Sequence, residues 1–182
     1  LGMQNISEIA SSSARIESLH FGAGDYSASL QARTTHIGGT NSDYASLTNP
    51  DASGKRHMQV GDIFHHAVSS MIIAARANGL RPVDSAYGDF SDVEGYRVTA
   101  KRAAAMGCEG KWAIHPSQID HANEIMGPDA DEIARAEQII EALAVAEQEG
   151  RGAVTFEGRM IDYANIRQAK MLVKKAAMIG NK

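Results

Sequence analysis

An α/β fold built on a parallel sheet is what the pattern of this chain predicts, and three observations carry the expectation. Short apolar runs ending in Gly, Asp or Pro alternate with segments of helical period. The later run-plus-helix pairs recur about thirty residues apart, the spacing of βαβ units. The residues with most chemistry to offer, Asp25, Asp84 with Asp89, and His115, fall where such runs end. Parallel α/β sheets gather their sites at those exits.

Taken in order, "GMQNISEIASSSARIESLHFGAGD" reads as a helix ending near Ser11, a polar connection, and a strand through Ile16, Leu19 and Phe21. A short helix is expected after Asp25, to about Arg33. From Thr34 to Gln59 the chain is rich in Gly, Ser, Thr, Asn and Asp and shows no sustained period. A loop that long in a compact domain is usually functional or mobile. In "VGDIFHHAVSSMIIAARANG", Ile63, Ala67, Met71 and Ile72 share a helical face, with Asp62 as N-cap and Gly79 as stop. "LRPVDSAYGDF" is the second strand with its exit. "SDVEGYRVTAKRAAAMG" is a helix that opens with the Ser91/Glu94 capping box and stops at Gly107. "CEGKWAIHP" is the third strand, ending at Pro116, and "SQIDHANEIMGP" a short helix capped by Ser117. Past Pro128 comes a long amphipathic helix with Asp129 and Glu132 as capping pair, an extended piece "RGAVTFEGRMID", and a final helix. Residues 1–127 are therefore expected to hold the βα units, and 128–182 to form an appendage. Its Ile139, Ile140, Leu143, Met171, Leu172 and Met178 are expected as core or subunit contact.

Composition removes several function classes. With 43% hydrophobic and 22% charged residues the chain reads as globular. A net charge of −4 gives no electrostatic case for nucleic acid or an anionic membrane surface. No apolar run reaches the roughly 18 residues of a membrane span, and no signal peptide opens the chain. The single cysteine, Cys108, suits a reducing cytoplasm and, with no base near it in sequence, reads as packing. Seven histidines without CxxC or HExxH spacing argue against zinc. The chain begins at Leu1 without an initiator methionine, so an upstream segment is expected.

The exit "HFGAGDYSASL" sets the functional question. Gly22 and Gly24 allow close approach of backbone to a ligand or a positive φ, and Asp25 beside exposed amides suits a hard cation or an amide-held anion. The same acid also serves as a helix cap. Elsewhere too the residues leave two readings. Asp84 lies near the exits or orders a turn. Lys111 meets an anionic ligand or is a solvated charge, and His115 is a ligand contact or a structural histidine. Asp162 caps the final helix or performs chemistry.

"LHFGAGDYSASL", "TTHIGGT", "RPVDSAYGDFSDVEGY", "GKWAIHPSQI" and "FEGRMIDYANIRQA", in this order and spacing, resemble the malyl-CoA lyase and citrate-lyase-β-like (HpcH/HpaI aldolase) family across essentially the whole chain. The resemblance implies the C-terminal portion of a (β/α)8 TIM barrel followed by an α-helical lid. It implies Mg2+, with Mn2+ as a substitute, and reversible C–C cleavage of a 3-hydroxyacyl-CoA such as malyl-CoA or β-methylmalyl-CoA. The products would be glyoxylate and acetyl-CoA or propionyl-CoA. Asp25 would be a metal ligand, the Gly24 and Asp25 amides would face the glyoxylate carboxylate, and Trp112, Ile114, His115 and Pro116 would line the CoA channel. Asp162 would transfer protons from a lid that enters a neighbouring subunit of a homotrimer or homohexamer.

The family's second metal ligand, a glutamate, and an arginine that clamps the substrate carboxylate belong upstream of Leu1, so the working enzyme is expected to be longer. Glu8 and Glu17 do not match the glutamate's position. A malyl-CoA thioesterase, a citryl-CoA lyase and a non-catalytic CoA-binding or assembly subunit are the alternatives that the motifs leave open.

Overall fold

The computed structural model describes residues 2–34 and 36–180. The chain divides into two compact units, Leu1–Met126 and Gly127–Lys182.

The first unit runs α1 (Ile6–Ser11), β1 (Ser18–His20), α2 (Ala23–Ser29), β2 (Ala45–Leu47), β3 (Met58–Val60), α3 (His65–Ala77), β4 (Arg81–Asp84), α4 (Val93–Met106), β5 (Gly110–Lys111), a 3-10 turn (Pro116–Gln118) and α5 (Ile119–Met126). Strands β1, β4 and β5 form a parallel sheet in that order, with Leu19 opposite Pro82 and Asp84 opposite Lys111. Alternation along β1 explains its two faces. Leu19 is buried while His20 on the other face is exposed. The buried face packs on α3 and α4 through Leu19, Phe21, Phe64, Met71, Leu80, Ala100 and Ala103. Phe21, Tyr26 and Phe64 form an aromatic trio with ring centroids 5.3 to 6.3 Å apart. That trio anchors the β1 exit to the core.

Several local expectations give way to tertiary demands. The stretch 34–59 is not structureless: β2 and β3 pair antiparallel, with Ala45 opposite Val60 and Leu47 opposite Met58. Helix α3 starts at His65, three residues beyond Asp62, whose side chain accepts from the Phe64 amide at 2.9 Å and pairs with Arg102 at 3.2 Å. Helix α4 is capped by Asp92, not Ser91, because Asp92 accepts the Gly95 amide at 2.9 Å while Ser91 turns to Asp89. Its end is as expected, with Gly107 left-handed at φ 110°. His115, rather than Ser117, caps the 3-10 turn.

The second unit contains α6 (Ala130–Gln148), β6 (Val154–Phe156), β7 (Arg159–Ile161) and α7 (Tyr163–Gly180). The Asp129/Glu132 capping box is formed in full. Helices α6 and α7 pack around Leu143, Ala146 and Ile166, with Ile139 and Val154 at the margin, and β6 and β7 form a hairpin. Met171 and Met178 stay exposed. Among the described residues no helix is long and apolar enough to cross a membrane.

Candidate active site

The carboxyl ends of β1, β4 and β5 bring three exits to one edge of the sheet. At the first, α2 starts at once after Phe21, with Gly22 as its N-cap and no side-chain cap bond. Asp25 therefore lies inside the first turn, exposed, and is not the cap of this helix. Its carboxylate folds back over Gly22, where a Cβ would stand 2.9 Å from Oδ2. Close approach, not a positive φ, is what Gly22 supplies, since its φ is −100°. An acid in the first turn also sits well against the helix dipole.

Residues 36–39 close over the second exit. The Gly88 amide donates to the Ile37 carbonyl at 2.8 Å. Gly38, at φ +77°, lies so near the Ala86 carbonyl that a Cβ would stand 2.0 Å from its oxygen. Only glycine meets both conditions. The β4 exit then continues into Tyr87, whose hydroxyl donates to Asp92 at 2.6 Å. Partial burial and then the Asp92 carboxylate push the Tyr87 phenol up to about 12, and the same hydrogen bond holds Asp92 below its ordinary value.

Beneath β4 and β5 lies a buried ion pair. Lys111 Nζ donates to Asp84 Oδ2 at 2.7 Å and to the Ser85 carbonyl at 3.0 Å, and stands 5.5 Å from the centre of the Tyr96 ring. Its side chain is wholly buried and that of Asp84 is nearly so. Burial pushes the Lys111 ammonium down, while Asp84 works against that shift. Neither residue is a solvated charge or a free ligand group. Their bonds tie the exit of β4 to that of β5, and the Trp112 amide donates to the Asp84 carbonyl at 3.3 Å as part of the same join. Burial pushes the Cys108 thiol up to about 12, so packing is its role at neutral pH.

The third exit presents Trp112, Ile114, His115 and Pro116, all exposed. Phe90 from the β4 exit stacks on His115 with centroids 4.5 Å apart and planes 17° from parallel. Gln118, 2% exposed, explains the loop's shape. Its Oε1 accepts the Ile114 amide at 2.9 Å and its Nε2 donates to the Tyr87 carbonyl at 3.0 Å. One amide thus closes both exits upon each other. Asp162 belongs to the other unit, between β7 and α7. Its Oδ1 accepts from the amides of Ala164 at 2.8 Å and Asn165 at 3.4 Å, so it does cap α7.

Residues 1–116 match the HpcH/HpaI aldolase/citrate lyase family. The chain belongs to that family. It is 41% identical over 178 residues to the L-malyl-CoA/β-methylmalyl-CoA lyase of Cereibacter sphaeroides, covering 98% of this chain and 54% of the relative. The malyl-CoA/β-methylmalyl-CoA/citramalyl-CoA lyase of Chloroflexus aurantiacus is 34% identical, over 100% of this chain and 51% of that protein. Among solved structures, CitE from Mycobacterium tuberculosis in complex with magnesium, acetoacetate and coenzyme A superposes with a TM-score of 0.69 at 28% identity. That match covers 97% of this chain and 57% of the other. The chain spans about half the length of the curated relatives it matches.

Within this aldolase-family chain, Gly24, Asp25, Trp112, Ile114, His115 and Pro116 all lie at the exits of one parallel sheet. Sequence reasoning missed three pieces of the site's frame: the Lys111–Asp84 pair, the Gln118 clamp, and a bond from Trp112 to His20. One signal for the pair was present. A lysine and an aspartate at corresponding ends of adjacent parallel strands are candidates for mutual burial, since charged side chains are rarely buried unless paired.

Proposed function

We propose that this chain forms the C-terminal portion of a (β/α)8 barrel, residues 1–127, and its lid, residues 128–182, in a Mg2+-dependent carbon–carbon lyase. The substrate is malyl-CoA or β-methylmalyl-CoA, and the products are glyoxylate with acetyl-CoA or propionyl-CoA. The observation that carries this reading is the 41% identity to the Cereibacter lyase. It runs through 98% of the chain, so both the Asp25 exit and the Asp162 hairpin lie within it.

The donor set suits the metal. Mg2+ takes one or two protein carboxylates and completes its shell with water and substrate oxygens. Asp25, an exposed carboxylate on a helix's first turn, fits as one such ligand. When bound, the ion supplies a positive charge that stabilises the oxyanion developing in the reaction. The chain's own residues do the remaining work. The amides of Gly24 and Asp25 receive the glyoxylate carboxylate. Trp112, Ile114, His115 and Pro116 receive the CoA part, on a loop that Gln118 and Lys111 hold in shape. Cleavage removes the 3-hydroxyl proton, the C2–C3 bond breaks as the carbonyl of glyoxylate forms, and its electron pair passes to C2 as the thioester enolate. Protonation of C2 then yields acetyl-CoA or propionyl-CoA. Asp162, with an ionisable carboxyl, moves one of these protons. It acts from the lid upon a neighbouring subunit of a homotrimer or homohexamer in the cytoplasm.

Product analysis tests this. Malyl-CoA incubated with the intact enzyme and Mg2+ should yield glyoxylate and acetyl-CoA in equal amounts, and none with EDTA. Free malate and CoA would instead identify a thioesterase.

A further inference from the structure

Trp112 stands out among the exposed residues because it is immobilised without being buried. Its backbone is held twice: its amide donates to the Asp84 carbonyl at 3.3 Å, and its carbonyl accepts from the Tyr96 hydroxyl at 3.3 Å. Its indole is held as well, for Nε1 donates to His20 Nδ1 at 2.8 Å with the two rings edge to face, 5.8 Å apart. Yet 48% of the residue remains exposed. An indole N–H is a donor only, so His20 Nδ1 accepts and the proton of a neutral His20 resides on Nε2. That nitrogen lies 2.9 Å from the Ser18 hydroxyl, which receives it. The line Ser18–His20–Trp112 thus fixes the histidine tautomer and, through it, the indole.

This line joins the two exits that the proposed reaction uses. His20 ends β1, two residues before the Gly22 cap of the helix that carries Asp25. Trp112 opens the loop after β5, 92 residues away in sequence. Holding a half-exposed aromatic face in one orientation sacrifices side-chain entropy and buries little surface in return. The compensation expected for such a residue is a ligand that meets a preorganised surface.

We propose that His20 is a positioning residue for acyl-CoA recognition. It orients the Trp112 indole, through Nδ1, so that the ring is set to contact the CoA thioester before the thioester arrives. This rests on the reading of the exits as a CoA-thioester site, and the test separates the two.

The indole Nε1–H of Trp112 is observed by 1H–15N correlation spectroscopy in the intact enzyme, assigned with Trp112→Phe, and CoA itself is titrated in. His20→Phe keeps an aromatic ring and removes the acceptor. It should move the ligand-free indole resonance to the position of a water-exposed tryptophan and weaken CoA binding roughly tenfold, the worth of one well-formed hydrogen bond. His20→Asn, whose Oδ1 stands about where Nδ1 does, should restore most of both. The double variant His20→Phe/Trp112→Phe should bind CoA no more weakly than the weaker single variant, because both changes break the same bond.

An indole resonance unmoved in His20→Phe and in His20→Ala would overturn the proposal. So would a released indole with unchanged CoA affinity, or losses that add in the double variant. Wild-type enzyme that binds no CoA would refute the site reading and the positioning role with it. The ligand-free spectrum identifies that case, because the indole would still respond to His20→Phe.

Discussion

At the residue scale the Lys111–Asp84 pair is the strongest claim about stability. Lys111→Met leaves Asp84 as a lone buried carboxylate and should cost about 3–5 kcal/mol of unfolding free energy by denaturant titration. Replacing both with apolar residues should recover much of that, because the penalty lies in the uncompensated charge. The pair was legible only through the matching strand-end positions of its members, for a physical reason: they are 27 residues apart, and nothing local to either encodes the other. The place of Asp25 at a strand's exit was easier, since glycines beside an acid mark where the apolar run of β1 ends. Even there, whether it capped the helix was settled only by where α2 begins. Cys108 gives a pH-dependent expectation. Burial raises its thiol from 9.0 to about 12, so between those values the unfolded chain loses a proton that the folded chain keeps. This contribution to stability is full below about pH 9 and declines as pH rises toward about 12. Denaturation midpoints across that range should fall more steeply for the wild type than for Cys108→Ala.

At the element scale, caps decide where helices start, and sequence pattern locates these to within one or two residues. Asp129 with Glu132 was legible because both halves of the box are local. Asp92 was not, because Tyr87 from the preceding exit holds it, leaving Ser91 to Asp89. Asp92→Ala removes both the Gly95 and the Tyr87 bonds and should cost about 1–2 kcal/mol of stability. Asp92→Asn, which still accepts, should cost less, and thermal melts of the two distinguish them. The β2–β3 hairpin escaped the sequence for a different reason. Each strand is three residues long, too short for alternation to stand out from the turn residues around it. Leu47, Met58 and Val60 remain exposed there, so no burial signal marked them either.

At the scale of the whole molecule, the parallel sheet follows from the strand–helix alternation that the sequence displays over long spans, whereas the order β1-β4-β5 does not. The placement of Asp162 upon a neighbouring subunit's site is a claim about assembly. Asp162→Asn should keep the α7 cap, since Asn also accepts, yet cut turnover by roughly 10²–10⁴-fold. Asp162→Asn and Asp25→Ala proteins, each inactive alone, should regain part of the activity when refolded together, because one supplies the lid and the other the metal site. Activity no higher than either alone, with mixing confirmed by mass, would place the lid in its own subunit.

The central claim, that Asp25 serves a Mg2+-dependent carbon–carbon cleavage, is tested most directly by glyoxylate release from malyl-CoA across a Mg2+ titration. Wild-type and Asp25→Ala enzyme would be compared after matching circular dichroism shows both folded. The account predicts Mg2+-dependent release by the wild type and almost none by the variant at any Mg2+ concentration. Equal release by the two, with the same Mg2+ dependence, would contradict it.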